Sequence, residues 1–214
     1  MSDKSNKYGY VGVDIPAQSF GSNKGVFNPA EINDLVANNQ WTTFGQLELI
    51  ETQTASASSA VNFLNIKENI YNVHFMTLNN IKTSFDDARA VLRFYESGVL
   101  ESGSVYDFAN FQIDANGANS ESRSTTSTSA ILEINSGNAT NECSNAYTYI
   151  YNAGDSSKYT FNTVQSAGII GAGVFKIWFG SSVMHQASTV NGFNVAVDVG
   201  TFSGTVSLYG IRYS

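Results

Sequence analysis

Residues 193–214, FNVAVDVGTFSGTVSLYGIRYS, constrain the fold more than any other stretch. Phe193, Val195, Val197 and Val199 alternate with Asn194, Ala196 and Asp198. After the segment GTFSG the alternation resumes, with Val206 and Leu208 set against Ser207 and Tyr209. A period of two in β-branched and aromatic residues marks a half-buried strand, because successive side chains leave a pleated backbone on opposite faces. Two such runs around a glycine-bounded turn predict a hairpin that closes a β-sandwich. A strand placed here is one the sheet needs, since unpinned ends fray.

The same period recurs upstream. Strands are expected at residues 47–54 (LELIETQT), at 55–66 with Val61, Phe63 and Ile66 apolar, at 71–78 (YNVHFMTL) and at 88–95 (ARAVLRFY). Further strands are expected at 105–113, 130–134, 145–151, 159–164 and 174–180. Residues 96–104 (ESGVLESGS), 114–129 (DANGANSESRSTTSTS) and 136–145 are expected to be loops, being poor in alternating apolar positions. Many short strands separated by turn residues favour a mainly β sandwich or jelly-roll-like domain over an α/β fold.

Residues 1–45 differ from the rest and are expected to form an N-terminal arm, extended and glycine-punctuated, ahead of a β-domain at 46–214. One short helix is expected at about 28–38. Asn28 suits its cap, Pro29 its first turn, and Glu31 completes a capping-box pattern. Ile32, Leu35 and Val36 form its apolar stripe, and Asn38 and Asn39 end it. A helix this short is marginal alone and must pack on something. Phe20, Val26, Phe27, Ile32, Leu35 and Trp41 are the anchors available. The arm lies either on its own domain or on another subunit, and so many anchors suit assembly.

Charge and cysteine content narrow the function classes. Charged residues make up 14% of the chain, against roughly 25% in an average soluble domain. Polarity comes instead from Ser, Thr and Asn, a composition common where protein packs on protein. The net charge of −7 leaves no basic stripe for nucleic acid. A single cysteine, Cys143, excludes an internal disulfide framework, and two histidines beside it make no zinc set. The first ten residues carry no signal-peptide core, and no run reaches the roughly 20 apolar residues of a membrane helix. A cytoplasmic site of synthesis without membrane insertion is therefore expected.

No catalytic constellation stands out. Asp86-Asp87 and DANG at 114–117 read as turns, without the spacing of a calcium loop. Gly171-Ala172-Gly173 lacks the following helix that phosphate cradling needs. His74 sits within a strand, as a packed histidine does. His185 reads as a loop residue near Ser181 and Ser182, with no orienting acid evident. Paired carboxylates for sugar cleavage are disfavoured by the few acids inside strands. No cofactor is expected. The strongest binding signal is aromatic: Tyr147, Tyr149, Tyr151, Tyr159 and Trp178. Such residues stack on sugar rings or anchor an interface when exposed, and stabilise sheets as cross-strand pairs otherwise.

The arm and the strand after it resemble a segment of structural proteins of tailed bacteriophages, especially of the marine and cyanophage type. There a phrase G-V-F-x-P-x-E-I-x-x-L precedes a Trp and a strand L-E-L-I-x-T-Q-T. Here these are Gly25, Val26, Phe27, Pro29, Glu31, Ile32, Leu35, Trp41 and residues 47–54. The Ser/Gly/Thr-rich remainder, ending in Leu208-Tyr209-Gly210-Ile211, is similar to the β-rich modules of those proteins. The resemblance implies a non-enzymatic virion component of the tail or tail fibre, docked by its arm to other virion proteins. A homo-oligomer is expected, with a trimer the leading state, and a host surface glycan is a candidate ligand. A capsid decoration or head-fibre protein is the alternative, and a free carbohydrate-binding sandwich is another.

Overall fold

The computed structural model describes Phe27, residues 29–38, 47–171 and 173–211. By its contacts the chain divides into one unit of Met1–Phe44, with Ser214, and another of Gly45–Tyr213. The first holds helix α1 (Pro29–Ala37). Its C-terminus is closed by Asn38, whose backbone N–H (3.0 Å) and side-chain amide (2.8 Å) both donate to the Asp34 carbonyl. That pairing satisfies one of the carbonyls left over at a helix end. Ile32 and Leu35 are half-buried while Val36, third of the expected stripe, is exposed. The cap residue Asn28 and the anchors Phe20, Val26 and Trp41 lie outside the described residues.

The second unit is a β-sandwich, as the alternation predicts. Its strands are β1 (Leu47–Ser58), β2 (Ala60–Phe63), β3 (Val73–Thr83), β4 (Ala88–Glu96), β5 (Val99–Leu100), β6 (Tyr106–Asp114) and β7 (Asn119–Ser127). They continue with β8 (Ala130–Ser136), β9 (Ser144–Tyr151), β10 (Tyr159–Ile169), β11 (Phe175–Ala187), β12 (Val190–Val197) and β13 (Phe202–Ile211). One sheet has the order β1-β13-β3-β9-β10-β11-β6-β7, every pair antiparallel. The other runs β2-β12-β4-β5, and β8 also pairs with β4.

The expected C-terminal hairpin is instead a corner. β12 belongs to the smaller sheet and β13 to the larger, so the two alternating runs do not pair with each other. Residues 47–63 bend in the same place. β1 pairs with β13 and β2 with β12, so two antiparallel segments turn together from one sheet into the other. Such sheet-switching corners need irregular backbone. Ala57 (φ 50°) and Gly200 (φ 74°) supply it, and Val197 N–H donates to the Ser59 carbonyl across the bend.

The core lies between the sheets. Phe63, Phe94 and Phe193 from the smaller sheet meet Met76, Leu78, Ile150, Val206 and Leu208 from the larger. The ring of Phe193 stands edge-on to Phe94 (5.8 Å) and to His74 (5.3 Å). His74 is fully buried, as a packed strand histidine; its Nε2 donates to the Ile66 carbonyl at 2.8 Å, while Nδ1 has no partner. Burial pushes its pKa below the ordinary 6.5. Tyr106, also buried, donates to the Glu101 carbonyl and accepts from Phe94 N–H, each at 3.1 Å.

Two expected loops contain strands. Residues 99–100 pair briefly with β4. Residues 119–127 form all of β7, an edge strand in which every side chain is exposed or half-exposed. With no buried face there is no apolar alternation to read. β10 and β11 also run beyond their expected ends, to Ile169 and Ala187, first through Ser166, Ala167 and Gly168 and through Ser181 and Ser182, which carry little apolar alternation.

Candidate binding face

Antiparallel register aligns alternate residues of neighbouring strands on one face. On the outer face of the larger sheet this produces rows of large side chains. One row is Leu49, Tyr209, Phe75, Tyr149; another is Tyr147, Gln165, Phe179, Phe111. Leu47 and Leu49 on β1 and Phe161, Phe175 and Phe179 further along are all more than two-fifths exposed. β10 and β11 bury the opposite parity instead: Thr160, Asn162, Val164, Trp178, Ser182 and Met184 point inward.

The aromatic cluster centres on Phe75. Its ring lies 4.8 Å from Tyr149, 6.0 Å from Tyr147 and 6.1 Å from Tyr209. Tyr149 stacks on Tyr151 at 6.4 Å, and Tyr147 donates its hydroxyl to Gln165 Oε1 at 2.7 Å. A second pair, Phe111 and Phe179, lies at 5.6 Å on β6 and β11. Three of the expected aromatics, Tyr147, Tyr149 and Tyr151, are thus brought together on β9. Tyr159 stands at the start of β10, edge-on to His185 at 4.8 Å.

Trp178 does not join them. It is 1% exposed, and its indole N–H donates to Gln112 Oε1 at 2.8 Å, with the Lys176 ammonium 5.8 Å from the ring centre. Its strand sets Phe175, Ile177 and Phe179 on the outer face and Lys176, Trp178 and Ser182 on the inner one. Trp178 is therefore a packing residue and not an exposed anchor. Phe75, Phe111, Phe161, Phe179 and Tyr209 were missed as members of the face. Each shares its neighbours' parity, but that relation appears only once the strand register is known.

Beside the aromatic rows runs an open groove of about 630 Å³, lined in part by Phe161, Val183, Ala109, Ser181, Asp107 and Arg123. At its rim His185 Nδ1 lies 3.3 Å from Asp107 Oδ2, an ion pair when the imidazole is protonated. Arg123 Nη1 reaches Glu121 Oε1 at 2.7 Å on the exposed side. The groove combines an aromatic wall with a carboxylate, a guanidinium and hydroxyls.

The arrangement offers binding chemistry, and among the described residues His185 is not set against Ser181 or Ser182 as a nucleophile pair. His185 belongs to β11 and not to a loop. Ser181 lies four residues along the same strand, about 13 Å away at strand rise, out of hydrogen-bond reach. Ser182 points inward, where its hydroxyl accepts from Ile131 N–H at 2.9 Å. Glu96 and Glu101 do lie near each other, and burial, then Glu101, raise the Glu96 pKa. Both are engaged structurally: Glu96 accepts from Gln186 (2.8 Å) and Ser188, and Glu101 from Gly103 N–H (2.6 Å).

The acidic turns tie loops together. Asp86 Oδ1 accepts from Asn138 N–H (2.9 Å) and Asp87 Oδ1 from Gly171 N–H (3.2 Å). Residues 114–118 form the β6–β7 turn, with Gly117 at φ 90° and Asp114 paired to Lys176 at 3.1 Å. Among the described residues no group of three or more His, Cys, Asp or Glu is placed to hold a metal ion, and no helix is long and apolar enough to cross a membrane. Neither a family model nor a curated protein matches this chain.

Proposed function

We propose that this chain is a non-enzymatic structural protein of a tailed-phage virion, a component of the tail or its fibres. Its first unit docks into the particle and its sandwich presents the outer sheet face to a partner protein or a host surface. The observation that carries the binding role is the aligned apolar and aromatic outer face, from Leu47 and Leu49 across Phe75 and Tyr149 to Phe161 and Phe179. Large exposed apolar patches of this kind mark interaction surfaces. The resemblance of residues 25–54 to virion proteins supplies the setting. Immunogold labelling of purified particles with an antibody to the sandwich tests it. Label on tails is expected, label on heads moves the protein to capsid decoration, and unlabelled particles overturn the reading.

The groove favours a second reading, a carbohydrate-binding module. Pyranose rings stack on exposed aromatic faces, and Phe161 is 43% exposed beside the Asp107 carboxylate. A glycan array probed with the wild type and with Phe161→Ala tests this. Retention of one sugar class by the wild type alone supports it, and no retention by either removes it.

A further inference from the structure

We propose that β7 is a self-complementary docking edge that pairs, antiparallel, with β7 of a second copy of this chain. The proposal does not rest on the virion reading. β7 is the last strand of its sheet, and no described residue pairs with its far edge. None of its side chains is buried, and its one ladder is with β6, to which the Gln112 amide also ties the Ser120 hydroxyl. Natural sheets protect such edges with proline, bulges or charged side chains, lysine above all, and here the register shift comes only after Ser124, leaving residues 119–124 regular. The sequence NSESRSTTS has no proline or lysine, and its one Glu and one Arg share the outer face.

The hydrogen-bond pattern limits how two edges can meet. Asp114 N–H donates to the Ala118 carbonyl at 2.8 Å, and the register continues regularly from Ile113–Asn119 to Phe108–Ser124. Bonded and non-bonded pairs alternate along an antiparallel ladder. Residues 118, 120, 122 and 124 therefore turn their backbone groups toward β6, and 119, 121 and 123 turn theirs outward; beyond Ser124 the register shifts. A second strand must set its outward residues opposite these, so odd positions meet odd positions.

Charge then selects one register. Centred on Glu121 or on Arg123, the pairing would set a charged residue against its own copy. Centred on Ser122, it sets Glu121 opposite Arg123 of the second copy and Arg123 opposite its Glu121. Opposite charges directly across a ladder attract and like charges repel. The intrachain Glu121–Arg123 contact becomes a cluster of four alternating charges, and Ser120 meets Ser124. The small side chains leave the inner side open to close approach. The two larger sheets join into one across a two-fold axis through Ser122.

The test uses the full chain with Cys143→Ser as background. In the Ser122-centred register the two copies of residue 122 form a non-bonded pair with Cα atoms about 4.5 Å apart, within disulfide reach. Ser122→Cys should give a disulfide dimer under mild oxidation. Ser120→Cys, facing Ser124 in the other copy, should not. Sedimentation should show a dimer that Arg123→Glu weakens at least about ten-fold, and Glu121→Arg with Arg123→Glu, which restores complementarity, should recover it. Far-ultraviolet spectra check that each variant is folded. A wild type monomeric at high micromolar concentration, cross-linking at 120 instead of 122, or no rescue by the double exchange would each overturn the proposal.

Discussion

The ring of Tyr71 lies against Gly210, so closely that a methyl at position 210 would overlap its Cγ and Cδ2. Gly210 faces the core side of β13, opposite His74 on β3, and Tyr71 fills the space that a side chain would otherwise take. The Tyr71 hydroxyl donates to Glu48 Oε2 at 2.6 Å on the neighbouring strand β1. One aromatic ring thus spans from the edge strand to the third strand over a glycine gap. Gly210→Ala should destabilise the sandwich by about 1–3 kcal/mol through overpacking. Tyr71→Phe, which keeps the ring and loses the hydrogen bond, should cost about 1 kcal/mol. Urea unfolding of both variants checks the order; a neutral Gly210→Ala would mean that the ring moves freely.

His74 makes stability fall on the acid side. Its folded pKa lies below the ordinary 6.5, because burial disfavours the charged ring. Below pH 6.5 the unfolded chain takes up a proton that the folded chain refuses. Stability is complete above that pH and declines as pH falls toward the folded pKa. His74→Gln should be less stable at pH 7, since the ring contacts to Tyr71 and Phe193 are lost, yet show a shallower decline below pH 6.5. Melting temperatures of the two proteins across that range decide it, and parallel curves would remove His74 as the cause.

The two faces of β11 should respond differently to truncation. Trp178→Ala should cost about 3–5 kcal/mol, as for a buried large aromatic. Phe179→Ser, one residue on and facing outward, should cost less than about 1 kcal/mol. It should also lower binding of a hydrophobic dye to the folded protein. Denaturant midpoints and dye fluorescence on the same pair measure this; equal losses of stability would mean that Phe179 is covered.

Phe27 and Ile32 test the proposed docking of the first unit into a particle. No residue of α1 is fully buried, and Phe27, Ile32 and Leu35 are half-buried. Phe27→Ala should lower incorporation into particles while the melting of the isolated protein stays unchanged. Ile32→Asp should do so more strongly, because it places a charge where an apolar contact is needed. Asn33→Ala, exposed on the helix, should be silent. Incorporation and melting on the same three proteins separate docking from folding: a lowered melting temperature for Phe27→Ala would place it in a folding role.

Period two made most of the sandwich legible in the sequence, because most strands bury one face and leave the other open. β7 was illegible for the converse reason: a strand with both faces in water carries no alternation. The corner at residues 198–201 has the sequence pattern of a hairpin, because the local pattern is identical in both cases. Whether β13 pairs with β12 or with β1 and β3 depends on residues more than 100 positions away. The binding face was legible in part. Tyr147, Tyr149 and Tyr151 share one strand and one parity, whereas Phe75, Phe161 and Phe179 join them only through register. Trp178 is not legible as a core residue because it shares its parity with Lys176 and Ser182, while the more apolar parity of Phe175, Ile177 and Phe179 faces outward.

The corner also has a consequence for how the protein is made. Residues 47–63 have as their partners residues 193–211, across the bend and on both sides of it. While a ribosome is still adding β11, the first two strands of the sandwich have no neighbour to complete them. Contacts so distant along the chain are slow to form, because a long loop must close before any of them is rewarded. The core-facing residues of β1 and of the central strands, Ile50, Met76 and Leu78 among them, therefore wait, uncovered, until β12 and β13 have emerged. Completion of the sandwich is then a late event, and a nascent chain halted before residue 190 should remain sensitive to protease along β1 while one extended past 211 resists.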